Sequence, residues 1–160
     1  MDLNSITKII NTFSSSLNDS FKELEFNVVA FPRMNVFNES FKQHVPSETY
    51  KDKSGVYFIS NLKGEILYIG KAGKNNLEAE IWGKFGAPVI GDDGVPMFVK
   101  SKMAKDAPTK ELSELITNGA FYISAIVIEP REMVSLLEVL LQTICLKQDG
   151  CLPSLNKQIG

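Results

Sequence analysis

Apolar residues recur at spacings of three and four through the first 25 residues, at Leu3, Ile6, Ile9, Ile10 and Phe13 and then at Leu17, Phe21 and Leu24. This predicts two short amphipathic helices parted at Ser14-Ser15-Ser16. Phe26 to Phe31 reads as a strand or extended segment ended by Pro32, and Phe37, Phe41 and Pro46 suggest irregular or short helical structure. Six of the ten phenylalanines fall in the first 41 residues. That density predicts a segment packed on the main body, a surface for stacked bases being the alternative. The chain turns polar at Ser47 to Ser54, which sets a boundary between a helical extension (residues 1–50) and the main domain (residues 51–160).

Beyond the boundary the alternation sharpens. Gly55 to Ser60 (GVYFIS) and Glu65 to Gly70 (EILYIG) are β-branched and aromatic, and Asn61-Leu62-Lys63-Gly64 between them has turn chemistry, so an antiparallel hairpin is expected. Asn75 or Asn76 can cap a helix to about Phe85, with Leu77, Ile81 and Phe85 on one stripe and Glu80 with Lys84 on another. Gly86 to Asp106 lacks a clean period, and Gly91-Asp92-Asp93-Gly94 reads as an exposed turn more readily than as metal oxygens. Pro108 to Asn118 predicts a short helix closed by Gly119. Ala120 to Ile128 (AFYISAIVI) is too apolar for a half-exposed strand and belongs at the centre of the sheet. Pro130 then opens what reads as the longest helix, to about Gln148. The expected class is α+β: a small, mainly antiparallel sheet of about three strands, flanked by helices, behind an N-terminal helical extension.

Composition narrows the chemistry. A chain of 160 residues, 44% hydrophobic and 22% charged, is that of a soluble globular protein, and no apolar run approaches the roughly 18 residues of a membrane span. The N-terminus lacks a secretory pattern, so a cytoplasmic location without membrane association is expected. Cys145, Cys151 and the single histidine, His44, are too few for a structural zinc site, so any metal must be held by oxygen. A net charge of -2 and a pI of about 5.5 do not by themselves point to nucleic acid. From Lys71 to Lys110, however, seven lysines stand against five acidic residues.

Two constellations draw attention. In the late helix Glu138 stands alone among Met133, Val134, Leu136, Leu137, Val139, Leu140, Leu141, Ile144, Cys145 and Leu146. A carboxylate there must pair, bind a cation or snorkel to water from the helix margin. Tyr57 and Tyr68 lie on strands expected to pair, and Gly70 and Lys71 follow. Packing is the usual reason for tyrosines in strands, yet a glycine permitting close approach, followed by a cation, also suits a site.

The segments Gly55-Val56-Tyr57 and Tyr68-Ile69-Gly70-Lys71-Ala72 resemble the opening motif of the GIY-YIG endonucleases. A helix after the second segment, a late helix with a lone glutamate and Pro153-Ser154-Leu155-Asn156 follow in the family's order. The resemblance spans residues 55 to 156 and implies metal-dependent hydrolysis of a nucleic-acid phosphodiester, DNA being the expected partner. It places Tyr57 and Tyr68 around the attacking water and one Mg2+ or Mn2+ ion on Glu138, with Glu132 a weaker assignment. Gly70, Lys71, Lys74 and Asn156 are the expected nucleic-acid contacts. The sequence departs from the family at the arginine that clamps the scissile phosphate: Glu80 stands there, a reversal of charge. Lys84, one turn later on the same face, is the candidate replacement, with Lys74 and Lys71 as alternatives. Three readings follow: an active nuclease, a degenerate domain that binds nucleic acid or a protein partner, and an unrelated fold with an accidental motif.

Overall fold

The first apolar stripe forms one continuous helix, α1 (Leu3–Ser20), where two were expected. The serines do not break it because their hydroxyls turn back onto the helix: Ser15 donates to the carbonyl of Asn11 and Ser16 to that of Thr12. The computed structural model describes residues 1–20, 27–30, 34–35, 50–94 and 96–160. Phe21, Phe26, Phe31, Phe37, Phe41 and Pro46 lie outside the described residues.

Two short strands, β1 (Asn27–Ala30) and β2 (Met34–Asn35), precede the hairpin of β3 (Gly55–Asn61) and β4 (Ile66–Ala72). There follow α2 (Leu77–Phe85), a small hairpin of β5 (Val89–Ile90) and β6 (Pro96–Met97), and the helices α3 (Lys102–Lys105) and α4 (Lys110–Thr117). The chain ends in β7 (Phe121–Glu129), a 3-10 turn (Arg131–Met133) and α5 (Val134–Asp149). Pro130 therefore precedes a 3-10 turn, and α5, at 16 residues, is shorter than α1, at 18.

The three long strands pair antiparallel in the order β7-β3-β4, and β1 and β2 add to the far side of β7. The sheet is thus wider than three strands, with the apolar β7 inside it and β4 at an edge. On one face, Tyr57, Ile59, Phe121, Ile123 and Ala125 pack on α2, α3 and α4 through Leu77, Ile81, Phe85, Met103 and Ile116. On the other, Val56, Phe58, Ile69, Ile126 and Ile128 pack on α1 through Ile6 and Ile10, and on α5 through Val134, Leu137, Leu141 and Cys145. Helix α1 is thus part of the core, as is Tyr50, which is fully buried in the first cluster. The fold is α+β, an antiparallel sheet flanked by helices. Among the described residues, no helix is long and apolar enough to cross a membrane.

Local chemistry sets the helices beside the site. Asn76 occupies the N-cap of α2, but its amide donates to Glu80 Oε1 at 3.1 Å instead of capping. The Lys53 carbonyl takes the Leu77 N–H. Phe85 stacks on Phe121, with ring centroids 4.7 Å apart, and also meets Phe98, which fixes the end of α2. Ser101 caps α3 by accepting from the Ala104 N–H and donates to the Lys84 carbonyl, tying the start of α3 to the end of α2. Gly91 to Gly94 forms the exposed turn of the β5–β6 hairpin.

Candidate functional site

Because β4 is an edge strand, side chains from both faces of the sheet can meet around it. Tyr57 of β3 and Tyr68 of β4 lie on the α2 side with ring centroids 5.8 Å apart. Register explains the contact: Tyr57 pairs with Gly70 and Ile59 with Tyr68, so the two phenols stand on a diagonal over Gly70. A Cβ at Gly70 would lie 2.6 Å from both the Tyr57 and Tyr68 rings. Only a glycine lets these phenols close over the strand.

Tyr57 is fully buried, whereas Tyr68 is half-buried. Burial, and then the neighbouring Tyr68, Glu80 and Glu138, push the Tyr57 hydroxyl well above the ordinary phenol range. The two phenols are close enough to interact, but among the described residues the Tyr57 hydroxyl has no well-aligned hydrogen-bond partner.

Lys71 points to the other face, where it meets α5. Its Nζ lies 2.7 Å from Oε2 of Glu138, whose side chain is 7% exposed against 36% for Lys71. The carboxylate is therefore neither bare nor at a wet helix margin. Nor is it alone: Gln142, one turn later on the same stripe, is equally buried and donates to the Ile69 carbonyl at 3.2 Å. The sequence signal was available, since a second polar residue at i+4 in an apolar helix shares the face of the first.

The two faces open into one cleft of about 370 Å³ at the β4 edge, lined by Tyr68, Lys84, Lys102, Glu138, Gln142 and Asn156 among others. Lys84 enters from α2, its Nζ 5.6 Å from the Tyr68 ring centroid, a distance suited to cation–π attraction. Glu80 is half-buried and turned toward Asn76 and Tyr57 rather than lining the cleft. Asp106 and Lys157, also on the cleft, pair at 3.7 Å. Lys71 pairs with Glu138 and Lys157 with Asp106, and Lys84 and Lys102 add two further ammonium groups to the lining. In sequence, Lys102 is one of the seven lysines between Lys71 and Lys110 and carries no signal of its own.

Asn156 acts through its position. Its side-chain oxygen accepts from the Ile69 N–H at 2.9 Å, and its amide donates to the Ile69 carbonyl at 2.8 Å. With Leu155 N–H donating to the Leu67 carbonyl, the C-terminal segment binds the free edge of β4 and forms one wall of the cleft. Its amide is thus engaged by the strand rather than presented to a ligand. Lys74 is exposed and Tyr57 buried, and neither is among the lining residues. Glu132 is exposed and pairs with Arg131, away from the cleft.

Among the described residues there is no cluster of three or more histidine, cysteine or acidic side chains. Among the described residues, the cleft offers a cation a single buried carboxylate, Glu138, whose Oε2 already faces the positive charge of Lys71. That donor set fits a hard ion keeping most of its own water, not one that needs a full protein cage.

No family model, curated protein or solved structure matches the chain.

Proposed function

We propose that the cleft binds a nucleic-acid backbone and, with one Mg2+ or Mn2+ ion at Glu138, hydrolyses a phosphodiester in the manner of a GIY-YIG endonuclease, with DNA as substrate. The observation that carries this reading is Lys84, which enters the same cleft as Tyr68 and Glu138 from the helix where the family's arginine was expected.

The residues divide the work. Lys84 and Lys102 attract the phosphate oxygens, Lys84 as a point charge without the bidentate fork of an arginine. Tyr68 presents the phenol nearest the cleft and orients water for attack at phosphorus, while the buried Tyr57 fixes the position of Tyr68. As the water oxygen bonds to phosphorus and gives up a proton to solvent, and the P–O bond breaks with the leaving oxygen taking up a proton from solvent, negative charge grows on the transferring group, which the lysines oppose. Glu138 would hold the metal, whose contribution is further neutralisation of that charge.

A second reading is favoured by the Lys71–Glu138 pair at 2.7 Å, which fills the carboxylate with a protein cation: a domain that binds nucleic acid or a protein partner without cleaving it. One assay separates the two. Plasmid DNA incubated with Mn2+ or Mg2+ should be nicked by the unaltered protein and left intact by Glu138→Ala and by Tyr68→Phe. Binding without nicking by the unaltered protein supports the second reading, and robust cleavage by both variants removes the assigned roles.

A further inference from the structure

The Lys71–Glu138 pair is uneven. Glu138 is buried on a helix packed against the sheet, whereas Lys71 sits on the edge strand with more than a third of its flexible side chain exposed. Among the described residues, Oε2 of Glu138 has no aligned hydrogen bond that would hold it otherwise. A buried carboxylate left without a cation is disfavoured, so departure of the lysine favours its replacement by another positive charge or a proton. A lysine ammonium and a divalent ion crowded onto that one oxygen repel each other, so an ion bound at Oε2 favours departure of the lysine. Lys71, not Glu138, is the partner able to move, since its ammonium can swing toward solvent on its four-carbon stem.

We infer that Lys71 is a displaceable counter-ion: it reserves the Glu138 carboxylate for a divalent cation and, once displaced, turns to a backbone phosphate in the adjoining cleft. The inference rests on the reading of Glu138 as a metal holder. Metal and phosphate binding are then coupled through Lys71. Without metal, Lys71 is held on Glu138 and contributes little to the nucleic acid; with metal, it becomes a phosphate contact.

Mn2+ titration, followed by the electron paramagnetic resonance of free Mn2+, tests the first half on the full chain. Lys71→Met should bind Mn2+ about tenfold more tightly than the unaltered protein, a coupling of ordinary size. Lys71→Arg, whose guanidinium grips a carboxylate by two bonds, should bind it more weakly, and Glu138→Gln should lose the site. If Lys71→Met is unstable alone, Mn2+ should raise its melting temperature more than that of the unaltered protein, and Lys71→Arg carries the comparison. Fluorescence anisotropy of a labelled DNA duplex tests the second half. Lys71→Met should bind the duplex several-fold more weakly than the unaltered protein with Mn2+ present, a larger defect than the one seen without metal.

Equal Mn2+ affinity in Lys71→Met and the unaltered protein, both dependent on Glu138, overturns the inference and leaves the metal assignment standing. Mn2+ binding that survives Glu138→Gln overturns both. A Lys71→Met duplex defect of the same size with and without Mn2+ also overturns the inference, because Lys71 would then touch phosphate in either state.

Discussion

The two sides of the β4 edge hold the two halves of the cleft by different means. On the α2 side, Tyr57, Tyr68 and Gly70 are locked by strand register, with no room for even a methyl group beneath the rings. On the α5 side, Glu138 is held by one lysine that is itself partly in solvent. The aromatic half is fixed by shape and the charged half by an exchangeable ion pair. A fold can thus carry an unbending aromatic platform while leaving the charge beside it adjustable.

Gly70→Ala attacks the rigid half and should have the largest effect on stability. Its Cβ would stand 2.6 Å from two rings, so the strand or both phenols must shift. A loss of about 3 kcal/mol in denaturant unfolding is expected, the upper range for overpacking a core. A loss within experimental error would show that the two tyrosines are not fixed by this glycine.

The wall that joins the halves comes next. Asn156→Ala removes both side-chain bonds to Ile69 and should lower stability by about 2 kcal/mol, as expected when polar groups lose their partners. Hydrogen exchange at Ile69 should rise while that in β7 is unchanged. Uniform loss of protection across the sheet would contradict a clamp confined to the β4 edge.

The smallest effect is in the pH dependence. In the folded chain the Tyr57 hydroxyl is held above the ordinary phenol value by burial first, and next by Tyr68 and nearby carboxylates. Its contribution to stability is complete below about pH 10, the unfolded value, and declines above it as the unfolded chain ionises while the folded chain keeps its proton. Thermal melts should therefore fall more gently above pH 10 in Tyr57→Phe than in the unaltered protein. Identical slopes would mean that Tyr57 is not titrating from a buried state.

The rigid half was the more legible in sequence. β-branched and aromatic runs on either side of Asn61-Leu62-Lys63-Gly64 give the hairpin, and the apolarity of residues 120 to 128 puts β7 inside the sheet, because these are local patterns with a short period. The exchangeable half was less so. Lys71 was legible as a cation after a glycine and Glu138 as an isolated acid, but their union depends on β4 lying at an edge beside α5, which no local spacing reveals. Gln142 is hidden in sequence among the apolar residues of its helix. The serines of α1 have the composition of a break, yet the helix continues because Ser15 and Ser16 satisfy their hydroxyls on backbone carbonyls within it.

Lys84 is where the two halves meet, its ammonium over the Tyr68 ring and inside the cleft that Glu138 lines. The most direct measurement is the rate of DNA cleavage in Mn2+ for the unaltered protein, Lys84→Ala, Lys84→Arg and Glu80→Gln. Lys84→Ala should lower the rate by about 100-fold, the scale of removing one charge-stabilising group, with Lys84→Arg retaining most of it and Glu80→Gln close to the unaltered protein. Cleavage by Lys84→Ala at the full rate, or no metal-dependent cleavage by the unaltered protein at all, would contradict the assignment of this cleft as a nuclease site built on Lys84.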